Sequence, residues 1–507
     1  MVRHLFQRNL LATAATVAML AGCNDSPTQP IPDQVQVTPS ALAVEVGDSV
    51  SLSASYTFGS SSQPADDRVR WTSSDSTVLR VDDSGYAHAL KYTGAPVTVT
   101  ATASGVSGSA DVYVLPTFDS LVVTLSATLA AGRTVHPALA LGGHQENAAY
   151  TYQELPELRS QVHLATSNPG IVSVESDGAL RAVAGGHATI TATLIGETTV
   201  IPVDVIAGYT VQPVPGTDGF LAKGVNDAAA VIVSRPGSSD ALIEGGTLVD
   251  LGACSARDLN DAGQVACAVH TPQNAFVYRP GLYSDGSLRM LFDSTYTGKA
   301  TGVTESGAVF GQVADSTYRS KPFIWTTNGV TYPTTVANTW SGSTYAVNSA
   351  NHGVAVYEAT SYPFSSLLGG SSIVGLPHYG GRWSQARDVN DADDVVGSSE
   401  RMKSPTGDVG GQATIWRAAN SWNPENPGYR ADSASAISEA GLVVGNGRDG
   451  PWVWRAGRYT ILNDALATSE WKLTSVADIS RSGIVAAQAT NAAGAKGVAL
   501  IDLGSAP

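Results

Sequence analysis

The chain has 507 residues, which is too long for one ordinary domain and predicts three or four. Charged residues make up only 14% of the chain and glycine is abundant, with 52 residues. This composition is typical of an all-β protein with many short strands and tight turns. The formal net charge of −15 argues against nucleic acid as a partner, because an acidic surface repels phosphate backbones.

Residues 1–22 have the features of a cleaved signal peptide. Arg3 and Arg8 provide a positive region, and the apolar run at residues 10–20 is too short to span a bilayer. The run Leu20-Ala21-Gly22-Cys23 resembles the lipobox of bacterial lipoproteins. The resemblance implies that Cys23 becomes a lipid-modified N-terminus, anchored in the bacterial cell envelope at the outer membrane or cell surface. An ordinary secretory signal with an incidental cysteine is the alternative.

Residues 23–33 are polar, rich in proline and without a pattern, and we expect them to form a disordered tether. Loss of residues 1–22 removes two arginines and no acidic residue, so the net charge of the mature chain falls from −15 to −17.

Residues 34–115 alternate apolar and polar side chains with the period of a β-strand. A turn at Gly47-Asp48 is followed by a strand containing Trp71, which we expect to fill the centre of a small sandwich. Residues 116–207 repeat this order, with Leu164 in the place of Trp71. The order of elements resembles the bacterial Ig-like domain of group 2. The resemblance implies two β-sandwiches that act as spacer or adhesive modules and contribute no catalytic residues.

Residues 209–507 contain a repeat centred on a turn. Its clearest copies include Asp258-Leu259-Asn260-Asp261-Ala262-Gly263 and Asp388-Val389-Asn390-Asp391-Ala392-Asp393. The position of the turn asparagine recurs seven times, at residues 226, 260, 304, 348, 390, 438 and 480. Each copy continues with an apolar strand that ends on an aromatic residue such as Trp416, so we predict two hairpins, and hence four strands, per repeat.

This pattern resembles the HAF-type extracellular repeat, and the resemblance implies a β-propeller. Seven copies predict seven blades. The last copy ends after the strand at residues 498–503, and residues 209–214 form an isolated strand before the first copy. We predict that residues 209–214 complete the last blade and close the ring. The alternative is that they are a linker from the second Ig-like module.

Cys254 and Cys267 flank the turn at residues 260–263, and the cell envelope permits disulfides. Strands on either side of a tight turn are adjacent, so a disulfide between the two is compatible with the pattern. Symmetric pairing would place Cys267 opposite Ala256, however, so a bridge to Cys254 requires a bulge or a diagonal contact.

No motif for a serine hydrolase, a zinc protease or a nucleotide site occurs in the chain. The nine histidines are scattered without metal-ligand spacing. The acids at residues 391, 393 and 394 lack the glycine and the distant carboxylate of a calcium loop. We therefore predict no catalytic residue, no metal site and no cofactor.

Four tryptophans fall outside the aromatic position of the repeat, and they are Trp340, Trp383, Trp422 and Trp471. Such residues can stack on sugars or anchor a protein partner, although core packing is the alternative for each. The sequence thus predicts an all-β, lipid-anchored binding, adhesion or display protein whose propeller binds a glycan or a protein. The alternative is a carbohydrate-active enzyme. Paired acids in a pocket on the propeller axis would favour the enzyme, and a channel lined by backbone and aromatic groups would favour binding.

Overall fold

The structure is a computed structural model. It describes residues 31–64, 69–143, 151–155, 158–271, 274–314, 320–333, 342–359, 362–369, 372–379, 382–400 and 411–504. The predicted signal peptide, Cys23 and Trp340 lie outside these ranges.

The first module consists of ten strands in three sheets. The strands are β1 Gln34–Thr38, β2 Ala41–Glu45, β3 Ser49–Ser51, β4 Ser53–Phe58, β5 Ser61–Pro64, β6 Arg70–Ser73, β7 Leu79–Val81, β8 Tyr86–Ala89, β9 Val97–Ala103 and β10 Val106–Leu115. The sheet orders are β1-β4-β5, β2-β10-β9-β6 and β3-β8-β7. Trp71 and Tyr56 are buried in the core, as expected for the central tryptophan. A β-carbon on Gly85 would lie 2.9 Å from the Trp71 ring, so this turn requires glycine.

The second module repeats the first strand for strand. Its elements are β11 Ser120–Thr124, β12 Thr128–Ala130, β13 Thr134–Val135, β14 Ala138–Gly143, β15 Thr151–Gln153, α1 Leu158–Gln161, β16 His163–Thr166, β17 Val172–Val174, β18 Leu180–Ala182, β19 Gly186–Leu194 and β20 Glu197–Ile206. The sheet orders are β11-β14-β15, β12-β20-β19-β16 and β13-β18-β17, which match those of the first module. Leu164 lies opposite Ala192, as Trp71 lies opposite Ala101, and it packs against the core. The shared topology confirms two Ig-like sandwiches.

The remaining strands form seven separate four-stranded sheets, which are the blades of the propeller. Blade 1 contains β22 Leu221–Val225, β23 Val231–Ser234, β24 Ala241–Glu244 and β25 Thr247–Asp250; blade 2 contains β26 Cys254–Leu259, β27 Val265–Thr271, β28 Asn274–Ser284 and β29 Ser287–Met290; blade 3 contains β30 Thr297–Val303, β31 Val309–Ala314, β32 Ser320–Thr326 and β33 Gly329–Thr331; blade 4 contains β34 Gly342–Val347, β35 Gly353–Ala359, β36 Tyr362–Gly369 and β37 Ser372–Leu376.

The array continues with the last three blades. Blade 5 contains β38 Ser384–Val389, β39 Val395–Glu400, β40 Gly411–Trp416 and β41 Pro424–Glu425; blade 6 contains β42 Ala431–Ile437, β43 Val443–Gly447, β44 Gly450–Arg455 and β45 Arg458–Ile461; blade 7 contains β46 Trp471–Ile479, β47 Ile484–Asn491 and β48 Lys496–Asp502, with β21 Gln212–Pro213 as its fourth strand. Two short 3-10 helices occur at Ala418–Asn420 and Leu462–Ala465.

The two ends of the array meet in blade 7. β21 pairs antiparallel with β48, with Gln212 opposite Leu500 and Pro213 opposite Ala499, and the Val214 amide donates to the Val498 carbonyl at 2.9 Å. The predicted strand is therefore shorter than residues 209–214. Tyr209 instead exchanges backbone hydrogen bonds with the loop at residues 465–467. β22 also packs against β46 and β47, so blade 1 adjoins blade 7.

The chain divides into two compact units, one around the first module and one containing everything from Leu115 onward. The second module and the propeller thus share a unit. The Arg133 guanidinium donates to the carbonyls of Leu466 at 3.1 Å and Thr468 at 2.6 Å. The Ala127 amide donates to the Tyr459 carbonyl at 2.8 Å. These contacts attach the second module to the region around blades 6 and 7.

Candidate functional site

The inner strand of each blade ends at the turn residue of the repeat, and all seven of these polar side chains are buried. Asn260 shows why asparagine recurs there. Its Oδ1 accepts a hydrogen bond from the Gln264 amide at 2.9 Å, and its Nδ2 donates to the Thr304 carbonyl of the next blade at 2.9 Å. The same bridge is made by Asn226, Asn348 and Asn390. Serine or threonine can make the turn bond but has no amide with which to reach the neighbouring blade.

Three blades carry an aspartate two residues before the turn residue, and these axial aspartates are Asp258, Asp388 and Asp478. A register shift occurs at or just before this position in the innermost hairpin of every blade. Such a bulge re-aims the side chain that follows it. It explains why Asp258 lines the central cavity although Ala256, on the same strand, packs in the core between blades.

Each axial aspartate binds the backbone of the next blade. Asp258 accepts hydrogen bonds from the amides of Leu259 and Val303, both at 2.8 Å. Asp388 accepts from Val389 and Ile437 in the same way, both at 2.8 Å. Asp478 accepts from the Val225 amide at 2.9 Å and so links blade 7 to blade 1.

The blade that receives each aspartate has a small residue at the equivalent position. These residues are Gly302, Ala436 and Gly224. A β-carbon on Gly224 would already lie 3.6 Å from Oδ2 of Asp478, so a larger side chain would compete for the space that the carboxyl occupies. Each axial aspartate thus pairs its own blade with the next one. Seven blades cannot all be paired in this way, and blade 4, which carries Ala346 at the equivalent position, is not part of such a pair.

Burial controls the ionisation of the axial aspartates. Desolvation raises the pKa of Asp258 to about 6 and that of Asp388 to about 7, although the backbone amides oppose the change. Desolvation also raises the pKa of Asp478 well above its ordinary value, and the nearby charges of Asp388 and Asp258 add to the effect. Apart from desolvation, the main groups that act on the three carboxyls are backbone amides and other acidic side chains.

A second ring of side chains lies at the mouth of the cavity, from the residues that follow each turn residue. Its members are Asp227, Asp261, Glu305, Ser349, Asp391, Glu439 and Arg481. Its carboxylates accept amide hydrogen bonds from neighbouring blades, for example from Asp227 to Asp261 at 2.7 Å. Arg481 reaches across the ring and donates to Ser349 at 3.1 Å and Asp391 at 2.8 Å. The acidic groups of this rim therefore have partners within the protein.

The central cavity has a volume of about 110 Å³, which is below the 300–1,000 Å³ or so of typical ligand pockets. It is lined by acids rather than aromatic side chains, yet those acids are engaged by backbone amides. The cavity therefore matches neither the free paired acids that would favour an enzyme nor the backbone and aromatic lining that would favour binding. In the structure, its acids hold the blades together. The sequence contains the pattern, since three acids share one offset from the turn, but the offset alone does not indicate what the acids bind.

A larger cavity, of about 440 Å³, lies between the second module and blade 6, and we call it the module–blade cleft. Leu139, Glu154 and Arg159 line it from the module, and Arg430 and Asp449 line it from the propeller. The Arg430 guanidinium binds Asp449 through two hydrogen bonds, at 2.5 and 2.6 Å, and Glu154 through a third at 2.5 Å. The hydrogen bonds that Arg430 donates to Asp449 are the main reason that the pKa of Arg430 is raised. No sequence motif indicated this cleft.

Three of the four tryptophans predicted as ligand-binding residues are among the described residues, and they occupy different parts of the propeller. Trp422 packs against a core cluster of blades 4 and 5, and its Nε1 donates to the Asp393 carbonyl at 3.0 Å. Trp471 opens blade 7 and packs, half-buried, against the core of that blade. Trp383 is half-buried before β38. None of these three lines the central cavity or the module–blade cleft, and Trp340 lies outside the described residues.

Cys254 and Cys267 are joined by a disulfide in the innermost hairpin of blade 2. Cys267 lies opposite Ala256 and Cys254 opposite Val269, so the bridge is a diagonal contact between adjacent strands. The two Cα atoms are 5.1 Å apart, and both side chains are buried. This pair is therefore part of the blade core rather than of an exposed redox site.

The first module is similar to a known family of domains. Residues 32–112 match the family model of the bacterial Ig-like domain (group 2). This range agrees with the sandwich seen in the structure. The match covers only this part of the chain. A search of curated proteins found no match.

Solved structures similar to the chain include propellers and S-layer domains. Virginiamycin B lyase from Staphylococcus aureus is 9% identical, with a TM-score of 0.36, over 58% of this chain and 99% of that one. The β-propeller domain of the trilobed protease from Pyrococcus furiosus is 10% identical, with a TM-score of 0.35, over 68% of this chain and 99% of that one. Domains 4 and 5 of the S-layer protein SbsC are 14% identical, with a TM-score of 0.15, over 35% and 100%.

Two kinds of feature are absent from the described residues. No group of three or more His, Cys, Asp or Glu side chains is arranged to hold a metal ion, and this includes the axial aspartates. None of the helices in the same ranges has both the length and the hydrophobicity to span a bilayer.

Proposed function

We propose that this chain is a lipid-anchored binding or display protein of the bacterial cell envelope, in which Ig-like modules carry a propeller of HAF-type repeats that binds a glycan or a protein. One observation carries the preference for binding over catalysis. The carboxyls on the propeller axis, where a glycosidase would need free acids, accept backbone hydrogen bonds in a cavity of about 110 Å³. They hold the blades together and leave little room for a substrate.

The binding function is tested with a soluble form of the chain that begins at residue 23 and carries Cys23→Ser. This form is incubated with an array of bacterial polysaccharides and oligosaccharides, and both retention and release of reducing sugar are measured. We expect retention without release. Release of sugar that is lost in Asp388→Asn but not in the exposed control Glu175→Gln would overturn the proposal.

The anchor is tested separately by growing expressing cells with labelled palmitate. We expect the wild-type chain to carry the label and to sediment with membranes, and Cys23→Ser to be unlabelled and released. A Cys23→Ser chain that remains with the membranes would show that the chain is held there by something other than a lipid on this residue.

A carbohydrate-active enzyme is the second candidate, and one observation favours it. Burial raises the pKa of Asp388 to about 7 and that of Asp258 to about 6, values that suit a general acid near neutral pH. To act in this way an aspartate would have to exchange its backbone hydrogen bonds for substrate. The release assay above, repeated with Asp258→Asn, distinguishes this candidate from the first.

A further inference from the structure

The module–blade cleft combines an apolar wall with a fixed polar group. Pro137, Leu139 and Leu155 supply the apolar part of the lining, all from the second module. Arg430 has only 15% of its side chain exposed and is held by Asp449 and Glu154. Its guanidinium is therefore already in place without a ligand, which reduces the entropic cost of binding.

Two further groups of the cleft can form hydrogen bonds with a ligand. Both bonds that the described residues make to Glu154 use Oε1, from Arg430 at 2.5 Å and Arg448 at 3.5 Å. Oε2 retains its capacity to accept a hydrogen bond, and 39% of this side chain is exposed. Arg159, on α1, is an exposed member of the lining and presents N–H donors in a planar fork.

The charges of the cleft balance. Arg159 and Arg430 oppose Glu154 and Asp449, and His136, which also lines the cleft, bonds with Asp177 at 3.3 Å. A site without net charge does not favour an anion or a cation, but its fixed donors and acceptors suit an uncharged ligand rich in hydroxyl groups.

A sugar ring has the complementary chemistry. Its adjacent hydroxyls can donate to a carboxylate and accept from a guanidinium, while its C–H face packs against an apolar wall. The volume of about 440 Å³ falls within the usual range for small-ligand sites. We propose that the module–blade cleft binds a neutral sugar residue of a glycan. This inference rests on the proposed binding function and gives it a site and a ligand class.

The experiment uses the soluble Cys23→Ser chain and isothermal titration with short neutral oligosaccharides of glucose, mannose, galactose and N-acetylglucosamine. We expect at least one to bind. Glu154→Gln removes the charged acceptor and should weaken binding about tenfold, the effect of losing one charge-assisted hydrogen bond. Ala138→Trp fills the cleft without removing an ion pair and should abolish binding. The controls Glu175→Gln and Arg181→Ala change exposed residues of the same module and should bind as the wild type does.

Thermal unfolding of each variant establishes that it is folded before it is titrated. Equal binding by the wild type and both cleft variants would overturn the cleft as the site while leaving the binding function intact. Binding only to anionic glycans, or only to a protein in the envelope fraction, would overturn the ligand class. Failure of every neutral oligosaccharide to bind would overturn the inference, whereas release of sugar by the axial aspartates would overturn the proposed function itself.

Discussion

The axial aspartates stabilise the contacts between blades to an extent that depends on their protonation. Asp258 and Asp388 each accept two amide hydrogen bonds, and a carboxylate is a stronger acceptor than a carboxylic acid. Ionisation within the buried cavity, however, costs solvation energy and creates repulsion between like charges. The pKa of Asp388, about 7, indicates that desolvation and repulsion together outweigh the amide hydrogen bonds.

We expect the protein to lose stability as the pH rises from about 5 to about 8, because Asp388 binds more protons in the folded than in the unfolded chain between its ordinary pKa of 3.8 and about 7. The free energy of unfolding falls through this window, by on the order of 3 kcal/mol for a group so buried. Asp388→Asn removes this titration and should reduce the pH dependence measured by denaturant unfolding.

The matched control for this prediction is Asp250→Asn. Hydrogen bonds from Ser239 and Arg235 lower the pKa of Asp250, so it remains ionised throughout the same window. Replacing Asp250 by asparagine should change the free energy of unfolding by the same amount at about pH 5 and at about pH 8. An unchanged pH dependence in Asp388→Asn would contradict the role assigned to the axial carboxyls.

The turn asparagines make one hydrogen bond within their own turn and one to the next blade, and substitutions at Asn260 can distinguish the two. Asn260→Ala loses both the turn bond and the bridge to Thr304, and we expect it to lower the free energy of unfolding by about 2–4 kcal/mol. Asn260→Thr should keep the turn bond, as Thr304 does in blade 3, and cost about half as much. Urea unfolding measures both, and equal losses would argue against the bridge.

The blade is the unit that the repeat specifies, and its innermost hairpin is the most constrained part. The bulge in every innermost pair changes which residues face the axis, and in blade 2 it lies just beyond Ala256. The disulfide spans the same hairpin on the core side, between Cys254 and Cys267. Blade 2 therefore combines a covalent link between its own strands with the hydrogen bond that Asp258 accepts from the backbone of blade 3.

Thiol titration tests the disulfide. The soluble Cys23→Ser chain, unfolded without reductant, should show no reactive thiol, and after reduction it should show those of Cys254 and Cys267. The bridge closes a loop between residues separated by 13 positions, so replacing both cysteines by alanine should cost about 3 kcal/mol in denaturant unfolding. Reactive thiols in the unreduced chain would disprove the bridge.

Closure of the array depends on contacts between segments that are far apart in the chain. Residues 212–214 supply the fourth strand of blade 7, and Asp478 supplies the bond to blade 1. The second module adds contacts at the same region, where Arg458 pairs with Asp204 and donates to the Ala127 carbonyl at 2.8 Å. The second module and the propeller are thus expected to unfold together, whereas the first module belongs to a separate unit.

Deleting residues 212–214 should lower the midpoint of thermal unfolding of the whole propeller, because it removes one strand and exposes the edge of β48. Calorimetry of the soluble chain measures the effect. Removal of residues 23–114, which contain the first module, should leave that midpoint unchanged. If deleting residues 212–214 lowers the midpoint of the propeller no more than this truncation does, closure through β21 is contradicted.

Arg458→Ala should separate the unfolding of the second module from that of the propeller. The substitution removes the ion pair with Asp204 and the hydrogen bond to the Ala127 carbonyl. Among the described residues, the exposed His187 is then the remaining ion-pair partner of Asp204. In the soluble chain that lacks residues 23–114, so that the separate first module does not contribute, we expect two calorimetric transitions in place of one. Arg181→Ala, on an exposed part of the same module, should retain a single transition, and a single transition in both variants would contradict the coupling.

Local chemistry made the fold predictable from the sequence. Turns rich in Asn, Asp and Gly at a regular period indicate hairpins without any knowledge of distant residues. The number of blades and the two sandwiches follow from counting such elements, and the fold confirms both. The core position of Trp71 was predictable for the same reason, because alternation along one strand assigns its face.

Tertiary structure alone decided where the charged groups act. Arg430 and Glu154 meet across 276 positions of the chain, so no local pattern could place them in one cleft. Asp258 was visible in the repeat, but its direction depends on a bulge and its ionisation on burial by other blades. Periodicity specifies a strand and its faces, whereas solvation and electrostatics depend on everything that packs around a residue, and that is determined only when distant segments come together.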